Sequence, residues 1–355
     1  MSLQVIMQTT TMNSIRKDKM YDSKFHPGEL SDSTFLITGG AGFVGSNIAE
    51  YLMKYGAKKV RVLDNLSEGK MENIEPFMSD PRFEFIKGDI TDHGTCDKAC
   101  YGIDYVTHQA ALGSVPRSLE TPLKTNDANV TGFLNMLTAA KDANVKRFIY
   151  ASSSSVYGDS QKLPKEEDHI GDPLSPYAAS KFVNEVYAGV YHLNYGIEVI
   201  GLRYFNIFGP RQKPDGPYAA VIPLFMDALL NGKDSFINGD GEMSRDFTFV
   251  ENAVQANVRA MFSGVQGCAG KVYNVALGDR TTVNQLYSIL KEYVGSDVDP
   301  IYRDPRQGDV RDSLADISKG RAFLGYEPQV EMREGLKTTL DWFKVRFGQR
   351  LLNKN

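Results

Sequence analysis

The chain has 355 residues, 42% of them hydrophobic and 24% charged, with a formal net charge of −4; it is long enough for one large domain or two joined ones, and its composition is that of a globular protein. Lysine and arginine are scattered and the balance is slightly acidic, which excludes the basic face of a nucleic-acid or anionic-membrane binder. No apolar run reaches membrane-spanning length and residues 1–33 lack the apolar core of a secretion signal, so a cytoplasmic protein without a membrane partner is expected.

Residues 1–33 are polar, show no apolar period and read as an N-terminal arm. From residue 34 short β-rich runs alternate with helix-length segments. Strands are predicted at 34–38, 59–63, 83–87, 104–109, 147–152 and 198–204, with helices at 43–55, 129–143 and 176–195. This alternation predicts right-handed βαβ units around a parallel sheet. Pro176 suits a first helical turn and Ser175 is placed to cap it. His93, Cys96 and Cys100 lack a fourth ligand and a Cys-x-x-Cys pair, so a solvated helix and no metal are expected there. With Cys268 the thiols number three, an odd count that suits unpaired cysteines in a reducing compartment. After residue 206 loops rich in Gly and Pro interrupt shorter elements, with helices predicted at 222–230, 250–262, 283–293 and 332–347. The expected division is an arm (1–33), a nucleotide-binding domain (34–206) and a smaller lobe (207–355), later segments of which are free to rejoin the sheet.

Two motifs carry chemistry. Gly39, Gly42 and Gly45, with Phe43 and Val44 between the last two, follow the first strand and open a helix. That spacing provides a tight turn, close approach of backbone amides to a pyrophosphate, and close packing of helix on strand. Asp64 ends the second strand nineteen positions after Gly45, where an acid meets a ribose 2′-hydroxyl and repels a 2′-phosphate, which favours NAD. The second motif is Tyr177 with Lys181, four residues apart behind the serines 152–155. On a helix the two share one face. A free tyrosine, with pKa about 10, is only about one-thousandth phenolate at neutral pH. One cation about 4 Å away at an effective dielectric near 20 supplies the roughly 4 kcal/mol needed to lower that value by about three units. Taken alone the spacing also suits a core tyrosine and a solvated lysine.

Together these pieces resemble the extended short-chain dehydrogenase/reductase superfamily. The resemblance rests on Thr38 to Gly45, Asp64-Asn65-Leu66, Gly88-Asp89-Ile90, His108-Gln109-Ala110-Ala111, Asn129-Val130, the serine run, and Tyr177 with Lys181, and extends over about 35–347. It implies an α/β fold, a Rossmann-type doubly wound parallel sheet with a smaller mixed α/β substrate lobe. It also implies that NAD is bound by Gly39, Gly42, Phe43, Val44, Gly45, Asp64, Asn65, Asp89, Ile90, Gln109, Ala110, Ala111, Asn129, Ser152, Tyr177, Lys181 and Tyr204. Ser153, Tyr177 and Lys181 are the implied catalytic set.

The segments 202–210, 241–247 and 306–311 resemble the family's nucleotide-sugar motifs, which implies that Asn206 contacts the diphosphate, Arg245 and Arg306 hold it, and Asp309 holds the nucleotide ribose. Arginine suits that task because its planar fork offers paired donors and keeps its charge. Dehydratases of this superfamily carry an Asp-Glu pair where this chain has Ser154 and Ser155, and the decarboxylating relatives usually carry glutamate at the second place. The chain therefore most resembles the UDP-hexose 4-epimerases. The resemblance implies that Tyr177 and Ser153 work on the C4 hydroxyl through a transient 4-keto sugar, with NAD retained between turnovers. Small Ser313 and Ala220 resemble the bacterial subgroup acting on UDP-GlcNAc and UDP-GalNAc, which implies that Gly113, Ser153, Ser154, Gln212 and Val221 complete the sugar pocket. A homodimer formed through the helices at 129–143 and 176–195, and a place in cell-surface polysaccharide synthesis, are implied in the same way.

Overall fold

The computed structural model describes residues 20–214, 219–305 and 311–352. Six strands lie where they are predicted, to within a residue at either end: β1 (Thr34–Thr38), β2 (Lys59–Asp64), β3 (Phe83–Lys87), β4 (Tyr105–His108), β5 (Arg147–Ser153) and β6 (Val199–Tyr204). A seventh, Lys271–Val275, pairs with the outer side of β6. All seven are parallel, in the order Lys271–Val275, β6, β5, β4, β1, β2, β3. The direction of winding reverses between β1 and β4, and a ligand crevice opens beyond the strand ends at such a switch point.

The strands are nearly continuous apolar runs because helices cover both faces of the sheet. On one face Ile48, Ala49 and Leu52 of the Phe43–Lys54 helix and Ala253 and Val254 of the Val250–Phe262 helix join Phe35, Ile37, Val60 and Val62 in one core. On the other face Cys96 and Cys100 of the His93–Cys100 helix, with Phe133, Met136 and Leu137 of the Gly132–Asp142 helix, pack on Leu36, Val106 and Phe148. The expectation of a solvated helix around Cys96 and Cys100 is thus corrected: both thiols are fully buried, and burial pushes each up to about 12. The exposed edge keeps His93, paired with Asp97 at 3.1 Å. Among the described residues no group of His, Cys, Asp and Glu could hold a metal ion, and no helix is long and apolar enough to cross a membrane.

The helix predicted at 129–143 has a different start. A short helix, Pro122–Asn126, runs through a π turn, Asp127–Thr131, into the Gly132–Asp142 helix. The N-terminal arm also needs correction over its described part. Tyr21, Phe25 and Leu30 are buried, Phe25 stacks on Tyr51 at 5.1 Å, and Tyr21 donates its hydroxyl to Asn47 Oδ1 at 2.7 Å. Their irregular spacing matches neither a helix nor a strand, so periodicity could not reveal it.

Beyond β6 the smaller lobe is built from the Val221–Leu230, Val283–Val294 and Met332–Leu352 helices and three two-stranded pairs. Phe225, Tyr287, Leu290, Leu336 and Leu340 form its core. The Val250–Phe262 helix and the Lys271–Val275 strand return to the large sheet, so the chain crosses between lobes more than once.

Candidate active site

A cavity of about 980 Å3 opens at the switch point, walled by the glycine turn, the ends of β2, β4 and β5, and the loop after β6. The three glycines have separate tasks. Gly39 has φ of +65°, and a Cβ there would lie 2.7 Å from Ala110 N. A Cβ on Gly45 would press into the Gly39 carbonyl, whereas one on Gly42 would meet only that carbonyl, at 3.0 Å. Gly42 is the N-cap of the Phe43–Lys54 helix and supplies no side-chain cap, which leaves first-turn amides and the positive helix end to the cavity. This cradle fits a diphosphate.

The Asp64 carboxylate accepts Ala41 N at 3.0 Å and Leu66 N at 2.8 Å, which aims it into the cavity with lone pairs to spare for hydroxyl donors. Burial raises its pKa and these two amides oppose that. Burial likewise works against the Asp89 carboxylate, but donors from Thr91 and Asn65 outweigh it and hold its pKa low. Ile90, Gln109, Ala110 and Ala111 continue the wall. Gln109 is fixed from behind: Tyr204 Oη donates to its Oε1 at 3.1 Å, and its Nε2 donates to Asn257 Oδ1 at 3.1 Å.

Ser152, Ser153, Tyr177 and Lys181 meet at the inner end. Ser175 caps the Pro176–Tyr195 helix by accepting Ala178 N, which sets Tyr177 in the first turn facing β5. Tyr177 is half-buried and shares this end of the cavity with Ser153, whose Oγ donates to Ser155 Oγ at 3.0 Å. Burial raises the Tyr177 pKa, with the Ser153 hydroxyl pulling it back. This corrects the simple electrostatic expectation from spacing. Lys181 is buried with Nζ donating to Ala151 O at 2.8 Å, and burial brings its pKa down to about 8 against the pull of Glu185. Asn129 does not line the cavity. The π turn aims its amide inward, where Oδ1 accepts Leu112 N at 2.8 Å and Nδ2 donates to Ser180 Oγ at 3.1 Å, tying the post-β4 loop to the Tyr177 helix.

Of the residues expected around a sugar nucleotide, Gly113, Ser153, Asn206, Gln212 and Ala220 line the cavity, whereas Ser154, Val221, Arg245 and Ser313 stand outside its wall. Arg306 and Asp309 lie outside the described residues. Arg245 Nη1 donates to the carbonyls of Ser244 (2.9 Å) and Arg311 (3.0 Å), and Ser313 is buried with its N–H bonded to Ser244 O at 3.1 Å. Gln212 Oε1 is buried and has no partner among the described residues, an acceptor open to a ligand donor. The sequence reading missed Glu68, which bridges Arg117 (2.9 Å) and Lys213 (3.4 Å) from elements on either side of the cavity. Nothing in a lone Glu-Gly pair signals such a bridge.

Residues 35–276 match the model of the NAD dependent epimerase/dehydratase family. The UDP-glucose 4-epimerase of Mycolicibacterium smegmatis is 38% identical over 311 residues, spanning 87% of this chain and 98% of that one. The structure of a UDP-N-acetylglucosamine 4-epimerase from Methanobrevibacter ruminantium, in complex with UDP-N-acetylmuramic acid, is 42% identical, with a TM-score of 0.84 over 89% of this chain and 99% of that one. A dTDP-glucose 4,6-dehydratase from Streptomyces venezuelae with NAD bound is 33% identical, with a TM-score of 0.81 over 89% and 98%.

Proposed function

This chain belongs to the NAD dependent epimerase/dehydratase family, and from that premise we propose that it interconverts UDP-GlcNAc and UDP-GalNAc by epimerisation at C4. The cofactor is NAD, which when bound supplies a reversible hydride acceptor. The glycine turn and helix end would hold its diphosphate, Asp64 a ribose, and the Ser152–Lys181 end its reactive ring.

The observation that carries the reading is the composition of the inner wall. Tyr177 and Ser153 line the cavity together there, and the short turn that follows carries Ser154 and Ser155, which are not acids at neutral pH. Elimination of water requires a second acid–base group, whereas oxidation and re-reduction of one hydroxyl need only a proton acceptor that later returns the proton. Tyr177 takes the proton from the C4 hydroxyl, Ser153 steadies the same oxygen, and a transient 4-keto sugar forms. After the sugar turns over, Tyr177 gives the proton back on the other face. Incubation with UDP-GalNAc yields UDP-GlcNAc of unchanged mass; a product lighter by water or carbon dioxide overturns the reading. Tyr177→Phe abolishes turnover with NAD still bound, and an active variant would show that the base lies elsewhere.

The acetamido preference is supported by the small Ala220 in the wall, by the small, buried Ser313, and by the likeness to the Methanobrevibacter ruminantium enzyme. Ser313→Tyr suppresses turnover of the acetamido sugars and spares UDP-glucose. Equal loss on both would remove Ser313 as a size gate. A homodimer is part of the same reading. It is supported by exposed Val186, Val190 and Leu193 on the Pro176–Tyr195 helix and Leu119 and Leu123 beside it, whereas the Gly132–Asp142 helix turns its apolar side inward.

A further inference from the structure

Behind Tyr177 and Lys181 lies a buried ion pair that the proposed chemistry has not used. Glu185 sits one turn beyond Lys181 on the Pro176–Tyr195 helix, as Lys181 sits one turn beyond Tyr177, so the three side chains follow one helix face. The Glu185 and Arg203 side chains are only 8% and 3% exposed. Arg203 Nε donates to Glu185 Oε1 at 2.9 Å and Nη2 to Oε2 at 2.8 Å, a two-pronged and therefore oriented contact. A third donor completes it: Ser152 Oγ gives its proton to Glu185 Oε1 at 2.5 Å. Ser152 on β5 stands directly opposite Arg203 on β6, which brings both under the same helix. Arg203 is held further by Nη1, bonded to Glu167 O at 2.9 Å, and by the Tyr157 ring 4.8 Å from its guanidinium.

Such a pair is weak ground for stability, since apolar residues of the same size often serve as well. Its effect on its neighbours is specific. We propose that Glu185 is a positioning residue for the reaction: its carboxylate, clamped by Arg203, keeps Lys181 charged one turn from Tyr177 and commits the Ser152 hydroxyl proton. Having one proton to give, Ser152 then offers the cavity only acceptor lone pairs. Burial works against the Lys181 ammonium, and Glu185 opposes it. The other titratable groups facing this cluster leave the assignment intact. Tyr150 on β5 stays protonated, held up by burial and then by Glu185, and His108 on β4 is pushed down to about 3 by burial and is neutral. Glu167, beyond Arg203, is raised by burial.

The inference rests on Tyr177 being the base. Tyr177 and Lys181 exchange protons as a unit, and the working form carries one proton fewer than the fully protonated pair. In the NAD-loaded enzyme, kcat/KM therefore rises with pH as the first proton leaves. Replacing the whole ion pair, Glu185→Gln with Arg203→Met, avoids an orphaned buried charge. Lys181 then loses its proton more readily, so the rise moves to lower pH while the plateau falls about tenfold for each unit lost from Lys181. The ultraviolet phenolate signal of Tyr177 on that plateau, taken as the difference from Tyr177→Phe, falls by the same factor, because fewer molecules carry phenolate beside a charged Lys181. Glu185→Asp, which keeps the charge, restores both. A folded double variant with the pH profile, plateau and phenolate titration of the parent overturns the role of Glu185 and leaves the epimerase reading standing. If Tyr177→Phe is itself active, the reading beneath fails first.

Discussion

Gly42 and Gly45 stand three residues apart in one motif, yet the fold asks different things of them. A methyl on Gly45 would strike the Gly39 carbonyl and the Gly40 backbone, where nothing can yield, whereas a methyl on Gly42, at the cavity wall, would meet only the Gly39 carbonyl, at 3.0 Å. Gly45→Ala therefore lowers the melting temperature of the protein stripped of NAD. Gly42→Ala leaves that temperature within about a degree, a change of less than ~1 kcal/mol, and weakens NAD binding. Calorimetry with and without NAD separates the two, and equal melting of both variants would deny the distinction. The motif is legible in sequence as three glycines; which of them touches ligand is not, because the answer depends on what lies 3 Å from each missing Cβ. Tyr177 teaches the same lesson about charge. Spacing put a cation on its helix face, but the position of the buried Lys181, with Nζ against Ala151 O, is set by β5.

At the scale of elements, helices were read more securely than their surroundings. The Pro176–Tyr195 and Val250–Phe262 helices have the bounds predicted for them, because proline and serine mark one start and both carry long apolar faces. The Lys271–Val275 strand was missed since it comes after the regular alternation of strand and helix has broken off, and only pairing with β6 gives it meaning. The segment around Tyr21 is held by a buried carboxylate: Tyr21 N donates to Glu251 Oε1 at 2.9 Å. Burial raises the Glu251 pKa to about 7, above its unfolded value near 4.5. The folded chain thus keeps a proton that the unfolded chain releases, and the stability this provides is full below about pH 4.5 and lost as pH rises through about 7. Glu251→Gln, whose amide oxygen can still accept Tyr21 N, should match the parent at pH 4 and exceed it at pH 8 by on the order of 2 kcal/mol. Denaturant titrations at both pH values check this. A gain at pH 4 and none at pH 8 would reverse the assignment.

For the whole molecule, the exposed stripe of Val186, Val190 and Leu193 is the surface on which the homodimer reading is to be tested. Leu193, 83% exposed, costs the monomer little when changed, so Leu193→Glu should halve the mass seen by light scattering while the melting curve of the monomer persists. An unchanged mass would place any interface elsewhere. The sequence by itself determined the α/β class, six of the seven sheet strands, the glycine turn with Asp64, and the candidates Ser153, Tyr177 and Lys181 that the fold brings to one cavity, because each is written in local periodicity or in short motifs. Only the tertiary structure decided that Gln109 is braced by Tyr204 and Asn257, that Glu68 reaches cations on either side of the cavity, that Cys96 and Cys100 are core, and that Glu185 stands clamped behind Lys181. Those contacts join residues tens to hundreds of positions apart, and no local pattern records which distant side chain burial and sheet register will bring within 3 Å.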